Sequence, residues 1–365
     1  MRILIINTSP LEFDGITLSI LTYFKMMDRT DMQVDFVSVS KSNPKVIKII
    51  EEMNCGIHHI EMRSKDPLKY FFKLVQLIRK NKYDIVHAHG SSAILAIEML
   101  AAKIAGCKVR ISHSRNTKCD HVKADKILRP LFYATYTHGF ACGIEAGKWL
   151  FAKRNFRVIK NGKELNKLAY NESVREEIRE KYQWEDKIVL GHVGNFNKQK
   201  NHAFLIDTFA ELVQMDSRYI LVMMGKGSNK PEIEEMVMKY GLSNKCHFFG
   251  SVTNIDEMLQ GMDIMLLPSL FEGLPNVVLE WQAAGLPCII SDAITTECKA
   301  TELVKYMPLN AGPDKWADAI RISELQDREK QASSIMQQMV EAGFDIETNA
   351  RELRNIYGEL VRGFR

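Results

Sequence analysis

The sequence predicts an α/β protein built from two doubly wound, Rossmann-like domains. Short apolar runs alternate with segments of helical apolar spacing along nearly the whole chain, which is typical of βαβ units. The 365 residues are enough for two domains of ordinary size. The alternation restarts after a charged segment, residues 166–186, so we predict a domain boundary near residue 165.

The first predicted domain, residues 1–165, begins with a strand, a loop and a helix, and then repeats this unit. In such a sheet, ligands bind beyond the carboxyl ends of the strands. Strands are predicted over residues 3–7, 34–39, 57–61, 85–88, 109–113 and 139–142. Helices are predicted over residues 16–27, 45–53, 67–80, 91–105 and 124–135.

The second predicted domain, residues 166–345, has the same alternation. Its strands are predicted over residues 188–193, 219–224, 246–249, 263–267 and 288–291. Its helices are predicted over residues 203–215, 231–240, 276–284, 313–322 and 327–342. A last amphipathic helix is predicted over residues 346–363.

Two acids stand out between the strand over 263–267 and the strand over 288–291. Glu272 lies in a loop, and Glu280 lies about one turn inside the following helix. Gly273 and Pro275 separate them, so backbone can approach a ligand closely, and the first free N–H groups of the helix suit an anion. A carboxylate beside that anion would be repelled by it. We therefore expect Glu272 and Glu280 to accept hydrogen bonds from hydroxyls. The alternative is structural: a solvated loop acid and a first-turn Glu favoured by the helix dipole.

Glu272 and Glu280 form an E-x7-E pattern within Phe-Glu-Gly-Leu-Pro-Asn, which resembles the retaining glycosyltransferases of family 4, especially bacterial capsule and exopolysaccharide members. The resemblance implies the GT-B fold, with two doubly wound domains and an interdomain cleft. It places the acceptor on residues 1–165, joined by the terminal helix over about 346–365. It places the nucleotide-sugar donor on residues 166–345.

The resemblance also implies individual roles. Lys200 matches the lysine that grips the donor diphosphate, and the alternative is a solvated loop lysine. Glu272 would hold hydroxyls of the transferred sugar, and Glu280 would hold the ribose. His113 would contact the transferred sugar near the reacting carbon and orient the sugar or the acceptor. The other expected donor contacts are Gly15, Asn195, Gly225, Ser251, Val252, Gly273, Leu274, Pro275 and Asn276.

Two positions depart from the family pattern. Family members usually have a pair of glycines in the first loop, and this chain has Asp14-Gly15. They also have an arginine directly after Gly194, where this chain has Asn195. Lys198 is the nearest replacement for that missing cation, although a lysine lacks the bidentate fork of arginine.

His87 and His89 also end a predicted strand, and their spacing puts them on one face. We expect an acceptor-cleft or structural role for them. A metal site is the alternative, but the sequence reveals no third ligand beside them. Because no Asp-x-Asp motif occurs, we expect transfer without a metal. We also expect no cofactor, since the nucleotide sugar is a substrate.

Charge is divided unevenly along the chain. Residues 1–165 carry 27 Lys and Arg against 15 Asp and Glu, although the net charge is only +4. A basic amphipathic helix over residues 67–82 predicts peripheral contact with an anionic membrane, and the alternative is an ordinary packed surface helix. We expect no nucleic-acid partner. With no signal peptide and seven cysteines lacking C-x-x-C spacing, we expect a cytoplasmic protein that works at the inner face of the membrane.

The sequence therefore predicts a retaining glycosyltransferase. It would move a hexosyl or N-acetylhexosaminyl group from a UDP-sugar to a saccharide or lipid-linked saccharide, in surface polysaccharide biosynthesis. The alternatives are a GT-B epimerase or phosphorylase, and a catalytically weak sugar-nucleotide-binding protein, which Asn195 suggests. A NAD-dependent dehydrogenase is disfavoured because no G-x-G-x-x-G follows the first strand.

Overall fold

The chain divides into two compact units. The computed structural model describes residues 1–39, 42–323 and 327–363. One unit comprises Met1–Lys163 with Phe344–Arg365, and the other comprises Glu164–Gly343; we call them the N-terminal and C-terminal units. The boundary predicted near residue 165 lies close to the first of these divisions.

The N-terminal unit is built on a seven-stranded, all-parallel sheet of order β3-β2-β1-β4-β5-β6-β7. Placing β1 in the middle and building outwards on both sides is the pattern of a doubly wound fold. The strands are β1 (Arg2–Asn7), β2 (Gln33–Val39), β3 (Gly56–Ile60), β4 (Ile85–Gly90), β5 (Val109–Ser114), β6 (His138–Ala141) and β7 (Arg157–Val158).

Helices cover both faces of this sheet. They are α1 (Gly15–Met26), α2 (Pro44–Glu52), α3 (Pro67–Asn81), α4 (Ala96–Ile104), α5 (Val122–Thr135) and α6 (Ile144–Phe151). Side chains of β1 alternate between the faces: Ile3 and Ile5 pack into one core with α1 and α2, and Leu4 and Ile6 pack into the other with α3, α4 and α5. Burial on both faces explains why β1 is a continuous apolar run.

The C-terminal unit has a six-stranded parallel sheet of order β10-β9-β8-β11-β12-β13. The strands β8 and β11 are neighbours although two other strands separate them along the chain, so the order reverses between them. Loops at such a reversal open a crevice for ligands. The strands are β8 (Ile188–Val193), β9 (Tyr219–Met224), β10 (Cys246–Gly250), β11 (Ile264–Leu267), β12 (Cys288–Ser291) and β13 (Val304–Met307).

The helices of the C-terminal unit are α7 (Leu165–Leu168), α8 (Glu172–Tyr182), α9 (His202–Met215), α10 (Lys230–Lys239), α11 (Ile255–Gln260), α12 (Asn276–Ala283), α13 (Pro313–Arg321) and α14 (Arg328–Glu341). One core lies under α9, α10 and α13, with Leu205, Phe209 and Trp316 among its buried residues. The helix α12 ends where the sequence predicts, because Gly285 takes a left-handed φ of +74° that favours glycine.

The last helix, α15 (Ile346–Arg362), belongs to the N-terminal unit. It packs beside α1, and its buried residues Ile346, Leu353 and Tyr357 join the core that contains Ile3 and Ile5. The N-terminal unit consists of two stretches of chain, one ending at Lys163 and one beginning at Phe344. A hydrogen bond joins these ends, since the Lys163 N–H donates to the Phe344 carbonyl. No helix in the described part of the chain is long and apolar enough to cross a bilayer.

Several sequence-based element predictions were incomplete. The elements that were not predicted are the helices α6, α7, α8 and α11 and the strands β7 and β13. The single helix predicted over 91–105 is a 3-10 turn (Ala93–Leu95) followed by α4. The helix α8 was overlooked because its residues are mostly charged, with only Ile178 buried. The strand β13 is an edge strand with one fully buried residue, Val304, so its apolar signal is weak.

Candidate functional site

Lys200 is positioned by the loop between β8 and α9. The Asn197 side chain accepts a hydrogen bond from the Lys200 backbone N–H at 3.1 Å and so closes the short 3-10 turn over Lys198–Lys200. Gly194 leaves room for the lysine stem, since a Cβ there would lie 3.0 Å from Lys200 Cε. The ammonium group is therefore held at the carboxyl end of β8.

Lys200 and Glu272 form an ion pair. Lys200 Nζ lies 2.7 Å from Glu272 Oε1, and the two side chains are only 14% and 11% exposed. The sequence predicted both residues as donor contacts but did not predict their pairing. An ammonium has three N–H donors, so two remain for further acceptors. The pair therefore places the Lys200 ammonium next to the Glu272 carboxylate, which can accept hydrogen bonds from hydroxyls.

Hydrogen bonds join the loop after β11 to the loop that carries Lys200. The Leu270 N–H donates to the Gln199 carbonyl at 2.8 Å, and Gln199 Nε2 donates to the Phe271 carbonyl at 3.0 Å. Glu272 also forms an isolated parallel bridge with Ile294, in the loop after β12. The Glu272 loop is therefore anchored on both sides rather than free in solvent.

The loop after β9 approaches the same edge through glycine. A Cβ on Gly225 would lie 1.9 Å from the Gly194 carbonyl oxygen, so only glycine fits. The Gly225 N–H donates to the Gly250 carbonyl at the end of β10, and Ser251 and Val252 follow directly. The predicted donor residues Gly225, Ser251 and Val252 thus share one edge of the sheet with Gly194. Asn195 is exposed beside them.

The helix α12 starts directly after this loop. Pro275 stands at its N-cap and provides no side-chain hydrogen bond to the first turn, which begins at Asn276. Gly273 and Leu274 are half-buried between Glu272 and that turn. Glu280 lies one turn inside α12 and is half-buried. Among the predicted donor residues, those from 195 to 280 therefore all lie on loops or a helix start at the carboxyl edge of the C-terminal sheet.

Several buried polar atoms near this edge have no hydrogen-bond partner in the described part of the chain. They are Ser269 Oγ in the loop after β11, His192 Nε2 at the end of β8, and both ring nitrogens of His202 at the start of α9. Burial lowers the pKa of His192 well below its usual value and lowers the pKa of His202 to about 4. Both imidazoles are thus neutral at pH 7, and the positive charge at this edge comes from lysine.

Gly15 lies in the N-terminal unit, at the exposed start of α1. Asp14 directly before it caps the helix: its carboxylate accepts from the N–H groups of Ile16 at 3.0 Å and Thr17 at 2.8 Å. The amides that a phosphate would use are therefore already bound to a carboxylate. This geometry weighs against the donor contact expected of Gly15.

His113 lies at the end of β5 inside a stack of three imidazoles. The rings of His87 and His113 are nearly parallel, with centroids 5.2 Å apart, and the rings of His87 and His89 are 4.1 Å apart. All three residues are buried, and burial lowers the pKa of each well below the usual value. The rings are therefore neutral at pH 7.

A chain of hydrogen bonds links His113 to α15. The hydroxyl of Tyr357 lies 2.7 Å from His87 Nδ1, and His87 Nε2 lies 3.0 Å from His113 Nδ1. If Tyr357 donates, His113 Nε2 carries a proton; if Tyr357 accepts, His113 Nε2 has a lone pair. That Nε2 atom is buried and has no partner among the described residues. The chain thus sets whether His113 offers a donor or an acceptor.

In the structure, the imidazole of His113 lies beside those of His87 and His89, so a third possible metal ligand is present. One nitrogen from each of His87, His89 and His113 lies within 4.8 Å of the others. However, His87 and His113 hydrogen-bond each other, and the Arg115 guanidinium donates to His89 Nδ1 at 3.1 Å. A fixed cation disfavours a second one nearby. The geometry favours a hydrogen-bonded stack over a metal site.

Arg115, Asn161 and Tyr357 are the residues at this edge to which the sequence gave no role. Arg115 directly follows β5, in the same stretch as His113, so a polar residue after a strand end was the available signal. Asn161 bonds Arg115, and Tyr357 bonds His87; in each case the partner is more than 40 residues away in the sequence. No local sequence pattern therefore indicates either residue.

Comparison with known proteins gives two family matches. The family described as glycosyl transferases group 1 matches residues 174–326, in the C-terminal unit. The family described as glycosyl transferase 4-like matches residues 17–132, in the N-terminal unit.

Relatives and solved structures agree with these matches. EpsF of Bacillus subtilis, named as a glycosyltransferase, is 32% identical over 364 residues, covering 96% of this chain and 94% of EpsF. The Escherichia coli UDP-Gal:alpha-D-GlcNAc-diphosphoundecaprenol alpha-1,3-galactosyltransferase is 29% identical over 248 residues, 63% of each chain. The crystal structure of HepE from Anabaena in complex with UDP covers 98% of this chain and 100% of its own, with a TM-score of 0.81 and 18% identity.

Proposed function

Because this chain belongs to the GT-B glycosyltransferases of the group 1 and family 4 type, we propose that it transfers a sugar from a UDP-sugar to a saccharide or lipid-linked saccharide acceptor. The observation that carries this proposal is the Lys200–Glu272 ion pair at the carboxyl edge of the C-terminal sheet. The names of the E. coli galactosyltransferase and the UDP complex of HepE support a uridine diphosphate donor. The name of a Staphylococcus aureus relative, the capsular polysaccharide biosynthesis glycosyltransferase CapH, supports an acceptor used in surface polysaccharide assembly.

The donor is proposed to bind the C-terminal unit. Lys200 keeps two N–H donors for diphosphate oxygens, and the first amides of α12 have no side-chain cap from Pro275. Glu272 accepts hydrogen bonds from hydroxyls of the transferred sugar, and Glu280 accepts from the ribose. The close approach of Gly225 to Gly194 keeps this edge free of side chains where the nucleotide would lie.

The reaction breaks the bond between the anomeric carbon and the diphosphate oxygen and forms a bond from an acceptor hydroxyl oxygen to that carbon. The hydroxyl proton passes to the diphosphate or to solvent, and nothing is oxidised or reduced. Charge develops on the departing diphosphate, and fixed positive groups lower the barrier. Lys200 and the α12 amides are proposed to supply that stabilisation without a metal, so the rate should be unchanged in excess EDTA.

Retention and the sugar class extend the proposal. In a single-step transfer, retention requires the acceptor to attack from the side that the diphosphate leaves. His113 is proposed to hold the sugar near the reacting carbon through Nε2, the atom without a partner in the described chain. A hexosyl or N-acetylhexosaminyl group fits the resemblance to polysaccharide enzymes. Product analysis by NMR would assign the anomeric configuration.

The test of the proposal begins with a panel of nucleotide sugars screened for thermal stabilisation, followed by mass analysis of products with lipid-linked saccharides. Lys200→Met should weaken UDP binding about tenfold and remove most turnover, because a charged hydrogen bond is lost. Lys239→Met removes an exposed lysine from the last turn of α10 and should change either value by less than about twofold, as a peripheral charge does. Equal binding by wild type and Lys200→Met would remove Lys200 from the site.

The alternatives give different products. An epimerase converts its nucleotide sugar without an acceptor, and a phosphorylase consumes inorganic phosphate. A catalytically weak binding protein would bind a nucleotide sugar but show no acceptor-dependent transfer. Acceptor-dependent release of UDP from wild type, lost in Glu272→Ala, is the outcome that favours transfer over all three.

We also propose that one face of the N-terminal unit contacts an anionic membrane. The helix α4 packs against both α3 and α5, so all three lie on one face of the sheet. On α3, Leu68 is 71% exposed and Phe72 is 66% exposed, and on α5 Ile127 is 76% exposed. Lysines flank them at positions 69, 73, 123 and 126. Exposed apolar residues between lysines are typical of an interfacial surface.

Vesicle sedimentation tests this surface. Wild type should bind vesicles that contain phosphatidylglycerol and should not bind pure phosphatidylcholine. Phe72→Ser with Ile127→Ser should reduce binding about tenfold, since two apolar side chains no longer enter the lipid. Met238→Ser is the matched control, because Met238 is 63% exposed on α10 of the C-terminal unit. Equal binding by the double variant and the control would contradict the proposal.

A further inference from the structure

Arg115 carries a positive charge that neutral side chains hold in place. Its Nε and Nη2 atoms donate to His89 Nδ1 at 3.1 and 3.0 Å, and its Nη1 atom donates to Asn161 Oδ1 at 2.9 Å. Within residues 1–39, 42–323 and 327–363, no carboxylate forms an ion pair with it. Two other half-buried arginines each have a carboxylate partner: Arg63 pairs with Glu98, and Arg129 pairs with Asp125. Among the residues that the structure describes, Arg110 and Arg328 lack one, but backbone carbonyls accept from their guanidinium groups.

An unbalanced charge that is partly removed from water is costly unless an anion compensates it. Burial accordingly lowers the pKa of Arg115 below its ordinary value. Two polar side chains, those of His89 and Asn161, hold the guanidinium of Arg115 in one orientation. An oriented guanidinium fork matches the paired oxygens of an oxyanion.

The position of Arg115 is that of a ligand group. Its N–H donates to the Gly90 carbonyl at the end of β4, and its partner Asn161 also accepts from Ser19 Oγ of α1 at 3.0 Å. The guanidinium therefore lies where the ends of β4 and β5, the segment after β7 and the second turn of α1 meet. Ligands of doubly wound sheets bind beyond this carboxyl edge.

The start of α1 does not compete for an anion at this edge. Its first amides are already bound by the carboxylate of Asp14. The amides that bind phosphate in many doubly wound folds are thus occupied. Arg115 is left as the oriented cation of this edge within the described chain.

His89 adds a hydrogen-bond donor. Arginine has no acceptor, so the two bonds from Arg115 require a lone pair on His89 Nδ1. A neutral imidazole then carries its proton on Nε2, and that atom is buried without a partner in the described residues. This Nε2–H faces the other side of the ring from Arg115, so it offers a separate donor to a polar group of a ligand.

We propose that the guanidinium of Arg115 binds a phosphoryl group of the acceptor substrate. The acceptor would then be a phosphate- or diphosphate-bearing saccharide rather than a neutral one. This inference rests on the proposed function and on the expectation, from the family resemblance, that residues 1–165 bind the acceptor. The same phosphoryl chemistry is also present in the donor diphosphate, so the experiment must separate the two sources.

Calorimetric titration of the full chain with inorganic pyrophosphate tests the site. Lys200→Met weakens the proposed donor site, so Arg115 should contribute more of the pyrophosphate binding that remains. Adding Arg115→Gln should weaken that remaining binding about tenfold or more, because a charged bidentate contact is lost. Arg110→Gln on the same background is the control: Arg110 lies at the opposite end of β5 and donates only to backbone carbonyls. Equal binding with and without Arg115→Gln would overturn the site.

A second variant guards against misfolding. Arg115→Lys keeps the charge and loses the fork, so it should weaken pyrophosphate binding less than Arg115→Gln but measurably. If Arg115→Gln unfolds, an unchanged affinity in Arg115→Lys overturns the proposal, and a loss of about threefold or more supports it, since the fork is what distinguishes arginine here.

Two further titrations assign the source. With Lys200 intact, Arg115→Gln should weaken binding of a short-chain prenyl diphosphate sugar and leave UDP affinity unchanged. Weaker UDP binding with unchanged prenyl diphosphate sugar binding would overturn the acceptor assignment. Failure of the proposed donor site is seen separately, as unchanged UDP affinity in Lys200→Met.

Discussion

At the scale of single residues, the Lys200–Glu272 pair explains how one place can serve a diphosphate and a sugar. Both side chains are mostly buried, and a partly buried ion pair needs good geometry to offset desolvation. Their 2.7 Å contact satisfies this and leaves donors and acceptors on both groups. The pair therefore keeps Lys200 fixed while no substrate is bound, at the cost of reduced positive potential.

Replacing Glu272 by Gln should separate the two roles. The neutral amide keeps the shape of the side chain and removes the negative charge beside the proposed diphosphate site, so UDP should bind about fivefold more tightly. Turnover should fall about 100-fold, because a charged hydrogen bond to the reacting sugar is lost. Calorimetry with UDP and steady-state rates measure both effects.

The control for this prediction is Glu302→Gln. Glu302 is a surface acid before β13, at the opposite edge of the sheet, and pairs with Lys299. It should change neither UDP affinity nor rate. Weaker UDP binding in Glu272→Gln would mean that Glu272 holds the lysine in place for the nucleotide rather than opposing it.

Asn195 allows a gain-of-function prediction. It is exposed beside Gly194, at the position where family members carry arginine, and no core contact would be lost on replacement. Asn195→Arg should tighten UDP binding about fivefold to tenfold by adding a charged, forked contact to phosphate. Asn195→Gln, which adds length without charge, should leave the affinity unchanged. If both variants bind alike, position 195 does not face the diphosphate.

At the scale of secondary-structure elements, the sequence was informative where apolar pattern and terminal signals agree. The helix α12 follows a buried strand and ends at Gly285, so its bounds were predicted closely. The helix α8 has a start signal, since Asn171 caps it by accepting from the Val174 N–H. Its charged residues hid that signal, because only Ile178 reaches the core.

The candidate site was predictable only in part, for a physical reason. The motif residues Lys200 and Glu272 could be named one by one because their strands and loops are local features. Their contact joins residues 72 positions apart, and it depends on β8 and β11 being neighbours in the sheet. Strand order follows from tertiary packing, which local periodicity does not encode. No role was predicted for Arg115 for the same reason, since its partner His89 comes from β4 and its partner Asn161 from the segment after β7.

The helix α15 has a second role in our interpretation, because it delivers Tyr357 to the histidine stack. Tyr357→Phe removes the hydroxyl that fixes the tautomer of His87 and, through it, of His113. We expect kcat to fall about tenfold with little change in donor KM, since the proton position on His113 matters during transfer more than in binding.

A reading of the tautomer itself separates this effect from a loss of packing. The ¹⁵N chemical shifts of the His113 ring report which nitrogen carries the proton, and they should change in Tyr357→Phe. Tyr23→Phe is the matched control: Tyr23 is also buried, and its hydroxyl donates to the Lys160 carbonyl rather than to a histidine. Unchanged His113 shifts in Tyr357→Phe would contradict the proposed chain.

At the scale of the whole molecule, both units bury neutral histidines at the carboxyl edges of their sheets. Burial lowers the pKa of His87, His89 and His113 in the N-terminal unit, and of His192 and His202 in the C-terminal unit. The unfolded chain takes up protons on these groups near pH 6.5, whereas the folded chain does not. Stability from them is therefore complete above pH 6.5 and is lost as the pH falls.

His202 gives this expectation a measurable form. Its pKa falls to about 4 in the folded protein, so its contribution is lost between pH 6.5 and pH 4. At pH 5.5 the loss should be about 1.4 kcal/mol for this residue, from the proton uptake of the unfolded chain alone. Its ring nitrogens have no hydrogen-bond partner in the described chain, so His202→Gln breaks no side-chain hydrogen bond there.

Urea unfolding followed by tryptophan fluorescence measures this effect in the right unit. Trp184, Trp281 and Trp316 lie in the C-terminal unit, and Trp149 lies in the N-terminal unit, so the signal comes mainly from the unit that holds His202. Wild type should lose more free energy of unfolding between pH 7.5 and pH 5.5 than His202→Gln, by about 1.4 kcal/mol. The pH 7.5 values correct for any packing cost of the substitution. An equal loss in both proteins would mean that His202 takes up its proton in the folded state, which would require water or a ligand to reach its ring.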